Sequence, residues 1–236
     1  MEYPVELQTD TIDLKVDTAQ LCAELTGQRS LSDEAANTLT HGVGLLMSLA
    51  GAGLLFNAAV EHAQPGVVAG CVIYAATLIA VYAASTASHA VGQPRLKQRL
   101  RSIDQAAIYL LCAGSFTPFA LAYCCEDGWW MVLVAMWAVA LAGFASKVLW
   151  AHRVESVCLV AYMVLGWMPI LAARPALEHA PFGALAWAVY GGACYTAGTA
   201  FLARDEKYPY FHAVWHLLVI AGSTCHFIVT FNYVVR

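Results

Sequence analysis

The stretch FHAVWHLLVIAGSTCHFIVTFNYV, residues 211–234, decides the fold. It is longer than the roughly 20 residues a helix needs to cross a bilayer, and it contains no Asp, Glu, Lys or Arg. A helix satisfies its own backbone polar groups in lipid, so the segment reads as a transmembrane span. Its three histidines are then the residues that need a reason. Ionisable groups inside a span as a rule face the bundle interior and mark a functional site.

Working back from this span, six further apolar stretches appear at about 37–60, 66–90, 103–123, 129–150, 154–173 and 183–203. The 236 residues are 60% hydrophobic and 12% charged, against about 25% charged in a soluble domain. The expected fold is all-α: a polytopic bundle of seven transmembrane helices joined by short loops, forming one membrane domain over 37–236. Residues 1–36 are expected to be a cytoplasmic N-terminal segment. They are polar and acidic and lack the short apolar core of a signal peptide. Ile12, Leu14 and Val16 alternate with charges there, Leu21 and Leu25 suit a short helix ending at Gly27, and Ser32 before Asp33 and Glu34 reads as a helix cap.

Basic residues set the orientation. With the N-terminus inside, the inner face receives Lys15, Arg29, Arg95, Lys97, Arg99, Arg101, Arg153, Arg204 and Lys207, with Lys147 snorkelling from the inner end of the fourth span. The outer face receives only Arg174 and Arg236. The C-terminus is therefore expected outside, and the chain in a bacterial inner (plasma) membrane. The net charge of −4 and the scatter of the basic residues exclude a nucleic-acid partner. The eight cysteines form no C-x-x-C pair and lie mostly in apolar segments, as buried free thiols do. Glycines of the first span (Gly42, Gly44, Gly51, Gly53) and of the sixth (Gly191, Gly192, Gly198) suit close helix approach. Pro118 and Pro169 fall inside spans and are expected to kink them.

The topology then gathers the polar residues. His62 and His179 fall in outer loops and His152 in an inner one. His89 ends the second span, Asp104 starts the third, His212 and His216 open the seventh, and Glu34, Asn37 and His41 begin the first. All seven lie at the cytoplasmic end. His212 and His216, four residues apart, share a helix face, the spacing with which two imidazoles hold one zinc in H-E-x-x-H enzymes. A third imidazole from His89 would leave the fourth zinc position for water, as in catalytic sites. Asp104 could take a proton from that water, and Ser85, one turn before His89, could support it by a hydrogen bond. Hydrogen bonds between helices are the competing explanation for the histidine pair. His226 lies about 15 Å further along the helix than His216, too far to be a ligand, and reads as a hydrogen-bonding group inside the bundle.

These residues fall into an ordered pattern: Glu34-x-x-Asn37-x-x-x-His41-Gly42, Ser85-x-x-x-His89, Asp104-Gln-Ala-Ala-Ile-Tyr-Leu-Leu, Gly114-Ser-Phe-Thr-Pro118-Phe119 and Phe211-His-Ala-Val-Trp-His216. In this pattern the chain resembles, over about 34–231, the hemolysin III branch of the progestin and adipoQ receptor family, which is related to alkaline ceramidases. The resemblance implies zinc held by His89, His212 and His216, with Asp104 at the bound water and Ser85 nearby. It further implies a zinc-dependent membrane hydrolase that cleaves the amide of a ceramide-like or other N-acyl lipid, with a membrane lipid as substrate or ligand. Two alternatives remain: a receptor or lipid-homeostasis sensor with a structural zinc, and a pore former. The pattern carries no information on oligomeric state.

Overall fold

The computed structural model describes residues 31–149 and 158–236, and all regular structure among them is helical. Helix α1 spans Leu31–His62, α2 Pro65–Ala90, α3 Pro94–Tyr123 and α4 Trp130–Leu149. The fifth span is broken: α5 (Cys158–Trp167) passes through a 3-10 stretch, Met168–Ala172, into α6 (Ala173–His179). Helix α7 spans Phe182–Leu202, and α8 spans Phe211–Val229 with a π-helical continuation over Thr230–Val235.

Six segments are long and apolar enough to cross a membrane. The exception is α7, which has 21 residues and no charge but is diluted by Gly, Tyr, Thr and Trp, and which packs closely along α8. Together the helices form the expected polytopic bundle of seven spans.

The helices begin and end where local chemistry dictates. Pro65 and Pro94 occupy first-turn positions of α2 and α3, where a missing N–H costs nothing. From Pro94, α3 runs nine residues before the expected start at 103, because its basic first turns are helical too. Pro169 lies at the break in the fifth span, whereas Pro118 is accommodated within α3. At the N-terminal end α1 already includes 31–36, so Ser32 sits inside the helix rather than before it. His62 and His179 end helices α1 and α6 instead of lying in loops. The expectations for residues 1–30 and for His152 and Arg153 lie outside the described residues.

Two apolar cores hold the bundle. One, built on Tyr109, Phe116, Phe119, Met136 and Leu165, joins α3, α4 and α5. The other, built on Leu55, Tyr74, Tyr82, Leu111 and Trp215, joins α1, α2, α3 and α8. Between them Ser223 ties three helices: its hydroxyl accepts from Tyr82 at 3.0 Å and meets the Tyr195 hydroxyl at 2.9 Å, while its carbonyl accepts from Tyr74 at 3.1 Å. Lys147 corrects the snorkelling expectation. It is only 2% exposed and turns inward, donating from Nζ to Gln105 Oε1 at 2.9 Å, because α3 offers a polar niche there that Tyr162 also enters. The glycines serve aromatic side chains more than backbone contact. A Cβ at Gly198 would lie 2.6 Å from the Trp215 ring, and one at Gly44 2.7 Å from Tyr82.

Candidate metal centre

Three imidazoles converge at the basic end of the bundle. One ring nitrogen from each of His89, His212 and His216 lies within 4.8 Å of the others. His89 comes from the last turn of α2, and His212 and His216 from the first two turns of α8. The α8 pair is aimed by the turn before it. Tyr210 adopts a left-handed backbone (φ 61°), and its N–H donates to Asp33 Oδ1 at 3.0 Å, which locks the start of α8 to α1.

Each histidine has its Nδ1 engaged by an acceptor. His89 Nδ1 lies 2.7 Å from Glu34 Oε2, and the carboxylate is held in turn by Lys97 at 3.0 Å and Arg101 at 3.6 Å. His212 Nδ1 lies 2.6 Å from Asp205 Oδ2. His216 Nδ1 lies 3.1 Å from Thr40 Oγ1, whose own proton goes to the carbonyls of Ala36 and Asn37 at 2.9 and 3.0 Å. A carboxylate only accepts, and so does a hydroxyl that has already donated. His89 and His212, each facing a carboxylate, therefore carry the proton on Nδ1 and the lone pair on Nε2, and the contact of His216 with Thr40 is compatible with the same tautomer. A carboxylate behind an imidazole is the usual support of a metal-binding histidine, fixing tautomer and ring orientation.

The surroundings are unusually polar for the interior of a span. His41 stacks on His216 with centroids 3.5 Å apart. Both ring nitrogens of His41, both amide atoms of Asn37 and the Ser85 hydroxyl are buried without a hydrogen bond among the described residues. Orphaned polar atoms cost roughly 1–3 kcal/mol each, so five in one place suit a polar guest such as an ion with its water. Three imidazole nitrogens fit zinc, whereas magnesium and calcium take oxygen ligands.

Asp104, in the third turn of α3, lines the same cavity as the three histidines. The Ser85 hydroxyl lies beside the Asp104 carboxylate without closing a hydrogen bond to it, and Ser88 is its second hydroxyl neighbour. Sequence reasoning placed His89, His212, His216, Asp104, Ser85 and His41 at this end, and all six line one cavity. It missed Asp205, Thr40 and Ser88. Asp205 could have been found only as one of two acids, with Glu206, in the loop before His212, whereas Thr40 and Ser88 gave no signal.

The cavity has a volume of about 1620 Å³, beyond the roughly 300–1,000 Å³ of a drug-sized pocket. Away from the histidines its walls are mainly apolar, with Leu111, Phe116, Phe119, Leu185 and Val219 among them. Ile170 and Val189 belong to the lining and are also 65% and 59% exposed on the outer face of the bundle. The cavity thus reaches the lipid-facing surface between the fifth span and α7, which touch only sparingly.

A family profile described as Haemolysin-III related matches residues 29–227, which include every residue of this cluster. The chain belongs to the haemolysin III-related family. Within it, the chain is 31% identical over 204 residues to Hemolysin-3 of Bacillus cereus, covering 86% of this chain and 93% of that protein. It is 30% identical over 207 residues to the Hemolysin-3 homolog of Bacillus subtilis (strain 168), covering 88% and 97%. A more distant likeness, 26% over 215 residues, links this haemolysin III-related chain to the human monocyte to macrophage differentiation factor, of the progestin and adipoQ receptor family. No solved structure matches.

Proposed function

We propose that the protein is a zinc-dependent lipid amidase of the bacterial plasma membrane, with His89, His212 and His216 as ligands. The observation that carries this reading is the convergence of three imidazoles, two of them backed by carboxylates, with Asp104, at the polar end of a large apolar cavity that opens on the bundle surface. Zinc, when bound, supplies a Lewis acid that polarises a carbonyl and acidifies a water at neutral pH.

The chain's own residues supply the rest. Asp104 accepts a proton from the attacking water as its oxygen bonds to the amide carbon, and returns the proton to the nitrogen as the C–N bond breaks. The products are a fatty acid and an amine. The Ser85 hydroxyl, buried beside the Asp104 carboxylate, is free to donate to it during the reaction. The apolar walls take the acyl chain, and the gap between the fifth span and α7 admits an N-acyl lipid of the ceramide type from the bilayer.

The test uses purified protein in nanodiscs. One zinc per chain, lost in His216→Ala, together with release of fatty acid from ceramides or N-acyl amides, is the expected result. A zinc-loaded protein inert on ceramides, N-acyl amides and lysolipids overturns the amidase reading.

A receptor or lipid sensor with structural zinc is the second reading. Favouring it, the cluster joins α1, α2 and α8 through Glu34–His89 and Thr40–His216. Under that reading chelation lowers thermal stability, while Asp104→Asn preserves function. The relatives named Hemolysin-3 suggest a pore, but a conducting path needs polar groups along its whole length, and the cavity walls beyond the histidine end are mostly apolar.

A further inference from the structure

His226 lies ten residues beyond His216 on α8, about 15 Å further along the axis at the usual helical rise. It lines the same cavity as the metal cluster, at the opposite end of the apolar walls. Space is made for it: a Cβ on Gly191 would lie 2.5 Å from His226 Cδ2 and 2.6 Å from Nε2, so only glycine on α7 lets the ring seat there. One face stacks on Tyr195 with centroids 5.7 Å apart. The Tyr195 hydroxyl meets Ser223 at 2.9 Å, and among the described residues no hydrogen bond joins it to the imidazole. The carbonyl of His226 accepts from the Thr230 hydroxyl, and its ring makes no hydrogen bond among the described residues.

A neutral imidazole presents one donor and one acceptor, and leaving both unmet in an apolar medium is costly. A hydroxyl group, itself donor and acceptor, is the complement. We propose that His226, seated by Gly191 and Tyr195, forms a second polar subsite that selects acyl chains bearing a hydroxyl about 15 Å from the end held at the metal cluster. This rests on the lipid reading above and narrows its substrate class to hydroxylated acyl chains.

Octadecanoate and 12-hydroxyoctadecanoate are suitable probes, because the extended chain sets the hydroxyl at about this distance from the carboxylate. Each is titrated against a fluorescent fatty acid bound to zinc-loaded protein in nanodiscs. The wild type is expected to hold the hydroxy acid about tenfold more tightly, as one added hydrogen bond of about 1.4 kcal/mol implies. His226→Phe keeps the ring stack and is expected to abolish the preference while leaving octadecanoate within about twofold; His226→Gln, which still hydrogen-bonds, is expected to retain part of it. Equal affinities in the wild type overturn the proposal alone, as does a preference that survives in His226→Phe. Failure of both acids to bind overturns it together with the lipid reading beneath it.

Discussion

Glu34 on α1 and His89 on α2 meet at 2.7 Å, carboxylate oxygen to Nδ1, and the same carboxylate receives Lys97 from α3 at 3.0 Å. Three helices are thus tied at one acid, and the imidazole between them is fixed in rotation and tautomer. Replacing Glu34 with Ala is expected to lower zinc affinity by about 10–100-fold, the usual loss when the support of a metal-binding histidine is removed. Competition with a chelator of known affinity measures it. Unchanged affinity would remove Glu34 from this role.

Asp205 acts likewise on His212 at 2.6 Å, from the loop rather than from a helix. Asp205→Ala is expected to weaken zinc by a similar factor. Asp205→Asn should lose less, because its amide oxygen can still accept from Nδ1. The same competition titration ranks the two, and an equal loss in both would mean that charge, not orientation, is the contribution.

Asp104 lines the cavity but stands outside the histidine cluster, so its removal separates chemistry from metal binding. Asp104→Asn is expected to keep one zinc per chain while amide cleavage falls by about 10²-fold or more, the scale of a lost general base. Metal analysis and fatty-acid release on the same preparation decide this. Retained cleavage would remove Asp104 from the role of base, whereas a zinc-loaded wild type without cleavage would favour the sensor reading.

Gly198 on α7 sits under Trp215, the residue before His216, and a methyl added at Gly198 would come within 2.6 Å of the indole ring. Gly198→Ala is expected to destabilise the bundle by about 1–3 kcal/mol through overpacking, seen as a lower melting temperature in detergent. Gly53→Ala is the control. Nothing lies within 4 Å of its Cβ position, so the substitution should be neutral or slightly stabilising by helix propensity.

The spans were legible because each needs only a local run of apolar residues, as in 211–234, and the cluster because topology puts residues at a common depth. The first turns of α3 escaped notice since Arg95, Lys97, Arg99 and Arg101 hide a helix behind their charge. Lys147 misled for a related reason: snorkelling is the default for an end-of-span lysine, and only the presence of Gln105 across the helix pair turns it inward. Glu34 was visible as a motif residue, yet its partner is 55 positions away, and no spacing rule links the two. The pairing of Asp205 with His212 depends on how the loop folds back before α8, which periodicity does not report. For His226 the expected hydrogen bond inside the bundle is not made by its ring among the described residues; the ring opens onto the cavity instead, in a seat that depends on Gly191 of a different helix.

The convergence of the three imidazoles also bears on how the protein is made. His89 belongs to the second span to leave the ribosome and His212 and His216 to the last, so no partial chain can close the trio. Glu34, Lys97 and His89 can meet early and wait. A chain interrupted before α8 lacks two of the three imidazoles, so the proposed metal site is the last feature of the bundle to be completed.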